Sequence, residues 1–260
     1  NVSNNQFKDN LIMEVMSPGD GELTPVYFGV GMIVTNSSGT VQGNTLLNQP
    51  VEPANPYVMT SGIQALDCAE ITISDNSLTG HMLAVNAEAT AECPDATAHI
   101  NSNTVEDCSF VGVSTSGGKV EVVDNTAFSC GYAPYLLHRS TVLSMPTNQG
   151  SGTYWNGRLL IDCTLLVQTI TNDNPGLPLL IYGTCHVPNP LAIEPGTTLK
   201  FLPTMESSNP MLSGESVEAG MLDIGGAIIA PGASPEERIT FTSVRDDSVG
   251  GDSNPGEGEV

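Results

Sequence analysis

The residues best suited to hold an ion lie in RDDSVGGDSNPGEGEV, at 245–260. Asp246, Asp247, Asp252, Asn254, Glu257 and Glu259 crowd hard oxygen donors into a stretch that glycines keep pliable, which suits Ca²⁺. The spacing is not that of an EF-hand, and the same run also reads as a solvated acidic loop. Six cysteines without a CxxC pair argue against zinc fingers and thioredoxin-type dithiols. Acid–base groups are thinly spread. His81, His99, His138 and His186 share no repeated position, and only His138 has a basic neighbour, Arg139. Lys8, Lys119, Lys200, Arg158, Arg238 and Arg245 are scattered, so no basic patch for a polyanionic sugar is visible. Carboxylates such as Asp107 and Asp124 can work as a hydrolytic pair only if the fold brings them together. No catalytic residue is assigned.

The elements that must position these groups follow from composition. Among 260 residues there are 27 Gly and 18 Pro, with many Asn, Ser and Thr and only 14% charged residues. Turn formers between short apolar runs predict an all-β chain with many corners. Helical periodicity bounded by caps is lacking. Seven basic against 29 acidic residues give a net charge of −22, which excludes nucleic acid as a natural partner and disfavours anionic lipid. No run approaches the roughly 18 apolar residues of a membrane span. PVYFGVGMIV at 25–34 has the length of a buried strand instead. The sequence opens on Asn, without a signal peptide, as expected after processing or within a larger product. Asn1-Val2-Ser3 and Asn36-Ser37-Ser38 match the glycosylation pattern, which short sequences often do by chance.

A repeat hides under unequal spacing. FKDNLI, VQGNTL, ITISDNSL, HINSNTV, VEVVDNTA and LSMPTNQ align on Asn10, Asn44, Asn76, Asn103, Asn125 and Asn148, separated by 34, 32, 27, 22 and 23 residues. Three positions before each Asn stand Phe7, Val41, Ile73, Ile100, Val122 and Met145, all apolar. Two positions after it come Ile12, Leu46, Leu78, Val105 and Ala127, with Gly150 breaking the series. The pattern reads as a short strand, a sharp corner and a second short strand. Asn suits the corner because it tolerates the left-handed conformation. Stacked at the strand spacing of ~4.8 Å, the amides would also form a hydrogen-bonded ladder. The alternative is a chance alignment in an Asn-rich chain. Pro146 weakens the last repeat by removing a backbone donor.

ITISDNSLTG and VEVVDNTAFSC resemble the repeats of right-handed parallel β-helix proteins. LLIYGTCHVPNPLAIEPGTTLKF and MLDIGGAIIAPGASPEERITFTSVRDDSVGGD resemble a second style of coil found in large secreted bacterial β-helix proteins. The resemblance implies an all-β, right-handed parallel β-helix (a solenoid) of irregular coils. It implies little about function, because that scaffold carries lyases, hydrolases, epimerases, adhesins and passive stalks. Residues 1–150 are expected to form Asn-ladder coils and 151–260 the second style, ending in the acidic loop, as one continuous solenoid.

The cysteine intervals match one coil each: Cys68 to Cys93 is 25 residues, Cys108 to Cys130 is 22, and Cys163 to Cys185 is 22. Cys108 and Cys130 both lie five positions after a ladder Asn, so they should stack within disulfide reach. Each such link would contribute roughly 3 kcal/mol in the chain-entropy model. It would also place the protein outside the reducing cytosol. Buried free thiols are the alternative. Aligning RLLIDC with PLLIYGTC leaves Cys163 and Cys185 two residues out of register.

NQGSGTYWNG at 148–157 separates the two styles and holds Tyr154 and Trp155, an aromatic pair that could stack on a sugar or cover a gap in the core. FLPTMESSNPMLSGESVEAG at 201–220 is a candidate loop over one face. At residues 1–20, NQFKDNLIMEV already reads as a coil rather than a cap, and the C-terminal stretch follows directly on the strand ITFTSV. A solenoid with open ends exposes strand edges. The expectation is an extracellular structural or adhesive element, such as a filament or stalk subunit, that stacks end to end or continues into further coils. The rival is a carbohydrate-active enzyme (lyase or hydrolase) or a sugar-binding module with a lateral groove.

Overall fold

The computed structural model describes residues 2–3, 6–8, 12–18, 23–48, 58–172, 177–204, 218–230, 238–246 and 248–249, with side chains for 30–48 and from Thr60 onward. The chain is a parallel β-helix. Up to Gly152 three sheets run along it, and the successive coils visit them in a fixed order. In the coil that holds Asn103, the first sheet takes Thr97–Asn101, the second Thr104–Glu106 and the third Val111–Ser116. The coils above and below pair with these strands in register: Ile73 with Ile100 and Val122, Leu78 with Val105 and Ala127, Val85 with Val113 and Tyr135.

Side chains alternate across each strand, so one set fills the interior. Val41, Ile73, Ile100 and Val122 are buried, as are Leu46, Leu78, Val105 and Ala127 beyond the corner. Each buried aliphatic side chain contributes on the order of 2 kcal/mol. Where the second and third sheets converge the interior narrows. A Cβ on Gly150 would lie 2.4 Å from the Ala127 carbonyl oxygen, which is why glycine interrupts the apolar series there.

The first and third sheets continue past residue 152, whereas the second ends at Gln149–Gly152. A fourth sheet of Thr169–Ile170, Leu191–Ile193 and Ile228–Ile229 takes the remaining side of the later coils. Trp155, 3% exposed, packs where this change occurs. Tyr154 sets its ring edge-on to Trp155 at 5.0 Å and stacks on Tyr132, which stacks on Phe110. Trp155 is therefore buried at the junction, and Tyr154, half-buried, has one ring face stacked on Tyr132.

Two expectations are corrected at the N-terminal side. Val2 pairs with Val41 and Phe7 with Leu46, so Phe7 takes the place two after the ladder Asn, not three before it. Asn10 itself lies outside the described residues. In the third sheet, Ile12–Pro18 runs antiparallel to Leu23–Thr35, forming a hairpin at the sheet edge rather than a further coil.

Candidate functional site

The asparagine column is the first site the sequence assembles. Asn44 Nδ2 donates to Asn76 Oδ1 at 3.0 Å, Asn76 to Asn103 at 2.9 Å, Asn103 to Asn125 at 2.9 Å, and Asn125 to Asn148 at 3.1 Å. Each accepting oxygen also takes the backbone N–H of the same donor residue, at 2.9–3.1 Å. The amide nitrogens of Asn76, Asn103, Asn125 and Asn148 donate as well to the carbonyls of Val41, Ile73, Ile100 and Val122, one coil earlier. All five asparagines are buried. The left-handed residue of the corner is the one before each Asn: Gly43, Asp75, Ser102, Asp124 and Thr147 have φ of 66, 56, 55, 55 and 56°. Asn is thus selected for its amide, and the strained backbone falls on its predecessor.

A second buried polar column, missed in the sequence, follows the corner between the third and first sheets. Cys68, Ser140 and Cys163 donate to carbonyls two residues earlier, on Leu66, His138 and Ile161. They also donate to the preceding coil, at Val34, Gly117 and Leu137. The signal was present in Leu-Asp-Cys, His-Arg-Ser and Ile-Asp-Cys, whose middle residues Asp67, Arg139 and Asp162 have φ near 50°.

All six cysteines are thiols in the structure. Cys108 and Cys130 stack as neighbours, with Gly131 N–H on the Cys108 carbonyl at 2.8 Å. Their side chains hydrogen-bond, and that contact together with burial pushes the Cys108 thiol well above its ordinary range. Cys163 and Cys185 are also neighbours: His186 N–H donates to the Cys163 carbonyl at 2.8 Å, and the two thiols hydrogen-bond. The two-residue offset is absorbed because Ile161 pairs with Tyr182 and the next corner carries one extra residue, Gly183-Thr184 replacing Asp162. Cys93 is half-buried in the loop 89–96, while the Cys68 thiol is directed to Val34 and Leu66.

The histidines are divided among separate settings. His99 meets Glu121 at 2.7 Å and Glu70 at 3.8 Å outside the first sheet, and His186 meets Asp223 at 2.9 Å. His81 is 0% exposed; neither ring nitrogen makes a hydrogen bond of good geometry, and the Leu46 backbone offers only a weak polar contact. Burial lowers its pKa to about 4. Asp107 and Asp124 stand at different corners of the coil, so the fold does not join them as a catalytic pair.

His138 belongs to a lateral cavity of about 180 Å³ on the outer face of the third sheet. Register places Glu88, Ser116 and His138 side by side on three adjacent strands, with Asn86, Ser114 and Leu136 two residues earlier on the same strands. Asn86 and Ser114 are each 2% exposed although they face away from the core. Asn86 Nδ2 donates to Glu88 Oε1 at 2.7 Å, which leaves Asn86 Oδ1 buried with no hydrogen-bond donor. A nucleophilic relay needs His between hydroxyl and acid, whereas here the hydroxyl is the middle member. Glu88 is the one carboxylate among the described lining residues, so a two-carboxylate glycosidase geometry is not formed. The arrangement is suited to binding.

Of the proposed calcium ligands only Asp246 is described; Asp247, Asp252, Asn254 and Glu257 lie outside the described residues. Asp246 Oδ1 accepts from Ser248 and Oδ2 from Thr242, and these hydrogen bonds hold its carboxyl below the usual carboxylate range. The fully buried Lys200 donates from Nζ to the Asp246 carbonyl at 2.8 Å. Among the described residues no group of three or more His, Cys, Asp or Glu converges on a metal position, and no helix is long and apolar enough to cross a membrane. No family model, curated protein or solved structure matches the chain, so function has to be read from this geometry.

Proposed function

We propose that the chain is a structural solenoid, an extracellular filament or stalk element that lengthens by stacking coil on coil. The observation that carries this reading is the exposure of inward apolar positions in the last described coil. In the third sheet the inward positions Leu179 and Leu199 are 0% exposed, whereas their next partner Phe241 is 48% exposed. In the fourth sheet Leu191 is 0% exposed and its partner Ile228 is 40% exposed. Met221–Ile224, Ile228–Ile229 and Thr240–Ser243 are the terminal strands of three sheets at that same end. An added coil would pair with these terminal described strands and cover the apolar positions.

A contact between opposite ends of two copies is heterologous, and its repetition yields an open filament unless its rotation closes a ring. The charge of −22 opposes sideways clumping and leaves growth along one axis. Adhesion to a surface and calcium held by the acidic 246–259 stretch are further parts of this proposal. Light scattering over a concentration series, with micrographs of the native material, tests it. Mass rising with concentration into rods is the expected result, and a strictly monomeric species at all concentrations would overturn it.

A further inference from the structure

From the lateral cavity, we infer that the outer face of the third sheet binds a small organic cation, a primary ammonium or guanidinium group on a short alkyl chain.

The six residues Asn86, Glu88, Ser114, Ser116, Leu136 and His138 form a grid of two positions on each of three strands. Strand geometry makes it about 7 Å long and about 10 Å wide. Within the grid the acceptor that lacks a donor is Asn86 Oδ1. The Asn86 amide is oriented by Glu88, because only its Nδ2 can donate to the carboxylate. Its Oδ1 is thereby an acceptor, fully enclosed and without a donor. A buried acceptor in that state costs on the order of 1–3 kcal/mol, which a ligand N–H would recover.

The electrostatics select the same class. Glu88 supplies a negative charge at the wall, and the chain as a whole carries −22. An ammonium or guanidinium donates several N–H groups at once and brings the opposite charge. Ser114 and Ser116 hydroxyls can accept the remaining protons. Leu136 gives the far wall an apolar surface for the alkyl portion. A neutral polyol would satisfy Asn86 but leave the carboxylate uncompensated. The volume of about 180 Å³ limits the ligand to a few heavy atoms. The site lies on the flank of the solenoid, and its occupation is independent of end-to-end growth.

The test is a protein NMR titration with n-butylamine hydrochloride against n-butanol, at constant ionic strength. Saturable binding of the amine and a much weaker response to the alcohol are expected. Glu88→Gln keeps a carbonyl acceptor for Asn86 while removing the charge, and should weaken amine binding roughly tenfold or more. Asn86→Ser removes the amide oxygen while keeping the Glu88 charge, though it also gives up the hydrogen bond to that carboxylate, and should weaken amine binding as well. Glu92→Gln, on the exposed loop 89–96, should leave binding unchanged. Equal responses to amine and alcohol, no saturation, or full amine binding by Glu88→Gln would each overturn the inference. The last of these would mean that the cation merely condenses on an acidic surface.

Discussion

Asn103 Oδ1 receives both the side-chain amide of Asn76, at 2.9 Å, and the backbone N–H of Asn76, at 3.1 Å. One oxygen thus closes two donors of the neighbouring coil, and the same unit recurs from Asn44 to Asn148. The column satisfies buried polar groups at a corner where strand-to-strand bonding is interrupted. Asn103→Leu would strand the Asn76 donors and remove the amide that meets the Ile73 carbonyl. Stability should fall by about 2–4 kcal/mol. Thr104→Ala, on the exposed side of the next strand, should change it by less than about 0.5 kcal/mol. Urea unfolding of both variants gives the comparison, and equal losses would remove the ladder from the account.

His81 makes stability depend on pH. Its folded pKa is lowered to about 4, from 6.5 for the unperturbed group, so below pH 6.5 the unfolded chain takes up a proton that the folded chain does not. The contribution is fully present above pH 6.5, is lost as pH falls toward 4, and changes no further once the folded imidazole protonates. The loss should approach roughly 3 kcal/mol. The pH dependence of unfolding free energy, measured for wild type and His81→Leu, isolates this from carboxylate titration. Superimposable slopes between pH 6.5 and 4 would contradict it.

The stacked thiols predict covalent links in an oxidising compartment. Non-reducing peptide mapping of native material should recover Cys108 joined to Cys130 and Cys163 joined to Cys185. A Cys68–Cys93 link would require the Cys68 thiol to leave the carbonyls of Val34 and Leu66. Recovery of all six thiols free would argue against the extracellular setting as well as the pairing.

Calcium is tested by removal. If the acidic 246–259 stretch holds the ion, EDTA lowers the melting temperature and added calcium restores it. The same melting temperature in both would leave this stretch a solvated acidic loop.

The architecture was legible because it rests on side chains that recur at fixed offsets along the chain. Val41, Ile73, Ile100 and Val122 mark one inward position, and the five described ladder residues mark one corner. What escaped depends on relations across strands. Phe7 looked equivalent to Val41 because an apolar residue three positions before an Asn recurs along the chain, yet its pairing with Leu46 puts Phe7 in another register. Cys68 and Cys163 share a residue type but Ser140 does not, so the hydrogen-bonding role did not repeat as one identity. The cavity joins Glu88, Ser116 and His138 from three coils of unequal length, and their spacing of 28 and 22 residues carries no period to detect. Cys163 and Cys185 were offset only on paper, because one extra corner residue restores their contact.

End-to-end growth rests on the last described coil, where Phe241 and Ile228 occupy inward positions and are exposed. Sedimentation velocity of the wild type beside the double variant Ile228→Lys/Phe241→Lys addresses it most directly. Charging these two positions makes an end contact costly, at the loss of the Phe241 ring stack on Phe201 of the coil beneath. The account predicts a concentration-dependent series of elongated oligomers for the wild type and a single monomeric boundary for the variant. Identical sedimentation of the two, whether both monomeric or both assembled, would contradict it.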